Sequence, residues 1–164
     1  MEETLPKKIL IVEDEEPIAR ALEMKLAKEG FDVSWSPNGK DALSFMESTT
    51  PDFILLDLVM PEMDGFSFIE NIKKDHPDIP VLVLTNLGQE EDKERVMSLG
   101  AVGYLVKSNT PIGDIVDHIM TYCKGESAPP EESSSPEEQS PQEQPAYEEQ
   151  PSSEEQSSDE QPRE

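Results

Sequence analysis

The sequence predicts an α/β fold, an open parallel sheet with helices on both faces, and three observations lead there. Residues 8–124 alternate short β-branched or aliphatic runs with longer stretches of helical spacing. The first, third and fourth short runs are nearly all apolar, as parallel strands covered on both faces must be. Prolines and a glycine fall where helices start and stop, which divides the segment into five β-α units in series.

The first strand is predicted over Lys8 to Val12, and Pro17 then suits the first turn of a helix whose apolar stripe is Ile18, Leu22, Leu26 and Ala27. Gly30 ends that helix before a second strand, Asp32 to Ser36, and a helix buried through Ala42, Leu43 and Met46. The third strand, Phe53 to Asp57, leads to a helix with Phe66, Ile69 and Ile72 inward. Pro77 and Pro80 separate it from the fourth strand, Val81 to Thr85, which precedes a helix holding Val96 and Leu99. The fifth strand is Gly103 to Val106, and the last helix runs from Pro111 to Lys124, buried through Ile112, Ile115, Val116 and Ile119. Right-handed crossovers favour one open sheet, and ligands of such sheets bind beyond the carboxyl ends of the strands.

Composition divides the 164 residues into a folded domain, residues 1–125, and an appendage, residues 126–164. The appendage is almost entirely Pro, Ser, Glu and Gln, with Tyr147 its only aromatic and Arg163 its only base, so it cannot build a core and is expected to be a disordered acidic tail. With 13 acids against one base it carries half of the net charge of −24, either as a solvated tail or as a docking segment for a basic partner. That charge argues against nonspecific contact with nucleic acid or anionic membrane. Cys123 is the single cysteine, which rules out an internal disulfide and suits a reducing compartment. The N-terminus has acids where a signal peptide needs bases, and no apolar run approaches the roughly 20 residues of a membrane span, so a cytoplasmic location is expected.

Strand one ends in Glu13 and Asp14, strand three in Asp57, strand four in Thr85 and strand five in Lys107. Any one of these could simply mark where a strand leaves the core, but together they line one sheet edge. If strands one and three are neighbours, the three carboxylates converge, and their repulsion calls for a hard divalent cation. Mg²⁺ fits, because it takes oxygen ligands and needs no His or Cys; His76 and His118 show no partner pattern and read as surface residues. Phosphoryl transfer needs an in-line acceptor oxygen, a metal and a cation for the equatorial oxygens, which Asp57, the Glu13 and Asp14 pair, and Lys107 can supply. Thr85 can turn its hydroxyl toward a new phosphoryl oxygen, with Tyr104 the candidate to fill the space behind it.

The stretches Ile9 to Glu15, Asp57 to Gly65, Val83 to Thr85 and Gly103 to Lys107 resemble, in order and spacing, the receiver domain of two-component response regulators, over about residues 7–124. The resemblance implies a flavodoxin-like sheet of order 2-1-3-4-5 with five helices. It also implies that Asp57 is the phosphoacceptor, Glu13 and Asp14 the acidic pair, Val59 a metal ligand through its backbone carbonyl, Thr85 the switch hydroxyl, Lys107 the phosphate partner and Tyr104 the switch aromatic. The cofactor would be Mg²⁺, the donor a phosphohistidine on a sensor histidine kinase, and the chain's only chemistry its own phosphoryl transfer to and hydrolysis from Asp57. Three positions depart from the family's habit: Glu13 stands where Asp is common, Asn86 where a smaller residue is usual, and Ser108 where proline is typical, which predicts a looser link from strand five to the last helix. Val59 and Leu87 are apolar at positions that screen or admit water, so self-dephosphorylation is expected to be slow.

An aspartyl-phosphate phosphohydrolase would need a second Asp where Val59 stands, and a nucleotide carrier would need a Gly- or Ser-rich first loop where Glu13 to Pro17 would repel phosphate. A degenerate receiver acting as a scaffold, and a phosphorelay shuttle, remain as alternatives. With no folded effector expected after Lys124, output is expected through binding of an unknown protein target without direct DNA binding. A monomer is expected, with a dimer through the strand-five face possible, where Asp114 and Asp117 accompany Lys107 and Lys124.

Overall fold

The computed structural model describes residues 7–125; residues 1–6 and the whole predicted acidic tail, 126–164, lie outside the described residues. The elements run β1 (Lys8–Val12), α1 (Glu16–Lys28), β2 (Asp32–Ser36), α2 (Gly39–Met46), β3 (Phe53–Leu56), α3 (Gly65–Asp75), β4 (Val81–Thr85), α4 (Glu90–Ser98), β5 (Gly103–Val106), a 3-10 turn (Lys107–Asn109) and α5 (Ile112–Lys124). The five strands form one sheet, order β2-β1-β3-β4-β5, and every pairing is parallel. The expected five-unit α/β architecture and strand order are both present, and among the described residues no helix is long and apolar enough to cross a membrane.

Strand side chains alternate between two apolar layers. Leu10, Val12, Ile54, Leu56, Val81 and Val83 meet α2, α3 and α4, while Ile9, Ile11, Phe53, Leu55, Leu82 and Leu84 meet α1 and α5. The central strands β1, β3 and β4 are therefore apolar on both faces, whereas β2, at an edge, is mostly half-buried. The helices are less evenly anchored: α5 buries Ile115, Val116 and Ile119, but α4 buries Val96 alone, with Glu90, Glu91 and Asp92 in its first turn. The Arg95 guanidinium of α4 lies 4.2 Å from the centre of the Phe66 ring.

Four details differ from the sequence prediction. In α1, Ala19 joins Leu22 and Leu26 in the core and Ala27 is exposed, because Ala27 lies one residue round the helix from the buried stripe. In α3, Phe68 is fully buried with Ile69 and Ile72, and Phe66 is half-buried at the rim beneath Arg95. Helix α5 starts at Ile112, with Pro111 as an extended residue before it. Strand β3 stops at Leu56, so Asp57 is the first residue past it, although its N–H still donates to Val12 O at 2.9 Å.

Beyond Lys107, the Thr110 hydroxyl donates to Val106 O at 3.0 Å, bracing the turn that contains Ser108. At the far end of α5 the half-buried Cys123 thiol has its pKa raised, chiefly by burial, with the Asp52 charge adding to it and Lys7 opposing it.

Gly65 is fixed by space. A Cβ there would lie 2.5 Å from Asp57 O and 2.7 Å from Leu58 Cα, both backbone atoms that cannot swing away. The Gly65 N–H donates to Leu58 O at 2.9 Å, so the start of α3 presses directly on the loop that carries Asp57. Gly65→Ala should lower unfolding stability by about 1–3 kcal/mol, the usual range for overpacking, measured by urea titration. An unchanged midpoint would mean that α3 can slide at no cost.

Candidate functional site

The parallel sheet sets the ends of β1 and β3 side by side, with Val12 opposite Leu56, so the residues that follow them emerge together. Carboxylate oxygens of Glu13, Asp14 and Asp57 lie within 4.8 Å of one another, the convergence that adjacent strands were expected to produce. Glu13 and Asp57 are buried, at 2% and 5% exposure, and Asp14 is exposed. Lys107, entering from the 3-10 turn after β5, puts its Nζ 2.7 Å from Glu13 and 3.1 Å from Asp57.

One residue of the cluster was not singled out in the sequence. Glu15 is 3.1 Å from Lys107 Nζ through its carboxylate, and its N–H donates to Glu13 Oε1 at 3.0 Å. Its only sequence signal is membership of the acid run Glu13 to Glu16, which does not show which acid turns inward.

Burial pushes the Glu13 carboxyl up to about 7, with the Asp57 charge adding to it and the hydrogen bonds from Lys107 and Glu15 opposing it. For Lys107, burial disfavours the charged form, but Glu13 and Asp57 together outweigh burial and raise its pKa. Three carboxylates around one ammonium leave an excess of negative charge. That excess, with all donors being oxygen, fits a hard divalent cation such as Mg²⁺.

Glu13 is gripped through its backbone as well. Its N–H donates to Ser36 O at 3.1 Å, and its carbonyl accepts the Trp35 indole N–H at 2.7 Å, both from β2. The Trp35 ring in turn lies under Arg20, whose guanidinium carbon is 5.0 Å from the ring centre.

On the β4 and β5 side, Thr85 is fully buried and its Oγ1 accepts the Leu87 N–H at 3.3 Å. Tyr104 is 7% exposed, and its hydroxyl donates to Leu87 O. The Tyr104 ring is thus turned inward in this conformation, tied to the same residue that Thr85 contacts. Burial raises the Tyr104 pKa, with the charges of Asp92 and Glu90 adding to the effect.

After Asp57 the chain turns tightly. The Val59 N–H donates to Asp57 Oδ1 at 3.4 Å, and the Val59 side chain is 58% exposed beside the site. Met63 N–H donates to Pro61 O at 2.8 Å across Glu62, which has φ 68°, a three-residue turn of strained hand for a non-glycine. Asp64 then caps α3 by accepting the Ser67 N–H at 3.0 Å, a bond that holds its carboxyl below the ordinary carboxylate value.

The sequence matches the family described as response regulator receiver domain over residues 9–119. It is 38% identical over 105 residues to the "Probable transcriptional regulator ycf27" of Guillardia theta, covering 64% of this chain and 41% of that protein. It is 37% identical over 105 residues to the "Alkaline phosphatase synthesis transcriptional regulatory protein PhoP" of Bacillus subtilis (strain 168), covering 64% of this chain and 44% of that protein. Among solved structures, the Mn²⁺-bound form of response regulator Rcp1 superposes with a TM-score of 0.66 at 29% identity, covering 76% of this chain and 99% of that one. The match therefore spans less than half the length of these curated relatives but nearly the whole of the solved response regulator. Family match, sheet order and the cluster at the strand ends agree, and the chain belongs to the response regulator receiver domain family.

Proposed function

We propose that residues 1–125 act as a phosphorylation switch in which Asp57 takes a phosphoryl group from a phosphohistidine on a sensor histidine kinase. The observation that carries this is the placement of the Asp57 carboxylate 3.1 Å from Lys107 Nζ, with Glu13 and Asp14 beside it. In the step, an Asp57 carboxylate oxygen bonds to phosphorus, the phosphorus–nitrogen bond breaks, and the electron pair leaves with the imidazole.

Each residue has a part in this reading. Lys107 neutralises charge on the transferred group, and its two buried carboxylate partners hold it at the site before transfer. Glu13, Asp14, Asp57 and the Val59 backbone carbonyl would hold Mg²⁺, which offsets the charge of the phosphoryl oxygens when bound. Thr85 turns its hydroxyl to the new phosphoryl oxygen. Because Thr85 Oγ1 and the Tyr104 hydroxyl both bond to Leu87, a change at Thr85 reaches Tyr104 through one residue.

Output passes by protein contact at a surface around Tyr104 and α5. The relatives named as transcriptional regulators are more than twice as long as the matched region, and the net charge of −24 opposes nonspecific contact of this chain with DNA. A cytoplasmic location fits a kinase donor and the single free thiol, Cys123.

Intact-protein mass spectrometry after incubation with acetyl phosphate and Mg²⁺ tests the reading. It should show one added phosphoryl group, mapped to the peptide carrying Asp57 and absent when EDTA replaces Mg²⁺. No addition would favour the scaffold alternative. Val59 and Leu87 present no polar group to orient an attacking water, so the phosphoryl group should persist for minutes or longer after the donor is removed; loss within seconds would contradict this.

A further inference from the structure

Strand β2 ends at Ser36, whose carbonyl accepts the Glu13 N–H just past the end of β1. The bond that would continue that ladder, a donor to the Glu13 carbonyl where the acidic loop begins, comes from a side chain. The Trp35 indole fills that place, donating to Glu13 O at 2.7 Å while Glu13 N–H donates to Ser36 O at 3.1 Å. The half-buried indole N–H also gains an acceptor, so the contact satisfies both groups. Arg20 stacks on the exposed side of the ring and is itself held by Glu23 at 2.8 Å and Glu16 at 3.5 Å.

The geometry points to Trp35 as a positioning residue of the acidic site: its indole N–H fixes the Glu13–Asp14 peptide plane and thereby sets the affinity of the carboxylate cluster for a divalent cation. The carbonyl of Glu13 and the amide of Asp14 belong to one rigid plane, so holding the oxygen fixes the direction in which Asp14 departs. Asp14 is the exposed member of the three carboxylates, and its placement depends on its backbone more than on side-chain packing. This inference rests on the proposed reading of the site as a cation-binding phosphoacceptor centre.

The test is calorimetric titration of Mg²⁺ alone into the full chain, for wild type, Trp35→Phe, Arg20→Ala and Asp14→Asn. Phenylalanine keeps an aromatic ring at the site and removes the donor along with the five-membered ring that carries it. One hydrogen bond's net worth predicts a dissociation constant raised about fivefold in Trp35→Phe. Arg20→Ala, which retains the indole N–H, should show a smaller rise. In acetyl phosphate reactions, Trp35→Phe should need more Mg²⁺ for half-maximal phosphorylation yet reach the wild-type rate at saturation, a split that loss of fold would not produce. Because Trp35 is the only tryptophan, its fluorescence in the wild-type chain should change on Mg²⁺ titration with the calorimetric midpoint, and Asp14→Asn should abolish the change. This second measurement stands even if Trp35→Phe does not fold. Equal affinities in wild type and Trp35→Phe, or a flat fluorescence titration where calorimetry detects binding, would overturn the inference alone. Absence of Mg²⁺ binding to the wild-type chain would overturn both it and the reading of the site.

Discussion

Asp57→Asn is expected to take up no phosphoryl group from acetyl phosphate and to unfold at a higher temperature than the wild-type chain. The first effect follows from chemistry, since an amide oxygen is far too weak a nucleophile to displace the donor. The second follows from the charge count. Glu13 and Asp57 are both buried, Asp14 is beside them, and among the described residues Lys107 is the cation in contact with them. Asparagine nearly preserves the shape, removes one negative charge and still offers an oxygen to Lys107. Glu13 also gains, because the Asp57 charge is one of the causes that raise its pKa. A stabilisation of about 1 kcal/mol is expected in EDTA, a fraction of the cost of an uncompensated buried charge. Intact mass and thermal unfolding measured on the same sample check both halves. Phosphoryl uptake by the variant would move the acceptor elsewhere, and a lower unfolding temperature would mean that Asp57 is a net stabilising partner of Lys107.

Lys107→Met should act in the opposite direction. It strands Glu13 and Asp57 without their ammonium, and breaking a buried pair commonly costs several kcal/mol. Two responses reduce the loss: Glu15 can turn into water, and Glu13 can take up a proton. The expected deficit is roughly 2–3 kcal/mol in EDTA at about pH 8. Its pH dependence has a definite sign. An acid whose folded pKa is raised loses stabilising protonation as pH climbs from its unfolded value, 4.5 for Glu13, through its folded value of about 7. Removing Lys107 takes away hydrogen bonding and charge that lower the Glu13 pKa, so the variant's decline continues above pH 7 where the wild type has levelled off. Urea titrations at about pH 6 and about pH 8 should therefore show the deficit widening at the higher pH. Saturating Mg²⁺ should narrow it. A constant deficit across that range would mean that Glu13 does not titrate there.

The fold was legible because parallel strands buried on both faces leave a strong mark, and the runs at Ile9 to Val12, Phe53 to Leu56 and Val81 to Leu84 contain no polar residue. The members of the site were legible for the same reason: a polar residue closing such a run must stand at the sheet's carboxyl edge, as Glu13, Asp57 and Thr85 do. Partnership across long sequence separations was harder to read. Glu15 meets Lys107 from 92 residues away, and one acid among four in a row carries no mark of direction. Trp35 was hidden differently: the alternation of Asp32 to Ser36 puts Val33 and Trp35 on one face, but it does not show that the indole reaches the Glu13 carbonyl. Ala19 and Ala27 are identical residues eight apart, and only the position of the sheet decides which one is covered. The inward ring of Tyr104 depends on the conformation at Leu87, which strand periodicity does not encode.

Helix α4 lies at the opposite extreme from α5 in how it is held. With Val96 its one buried side chain and Arg95 resting on the rim of Phe66, little apolar surface would be returned to water if it detached. The free energy of opening a segment rises with the apolar surface it covers, so amide exchange should show α4 among the least protected elements and β1, β3 and β4 among the most protected. Its neighbour Tyr104 senses the charges of Glu90 and Asp92, which places this loosely held helix within reach of the residue bonded to Leu87. A perturbation at the sheet edge would therefore be expected to reach α4 before it disturbed the pairing of the central strands.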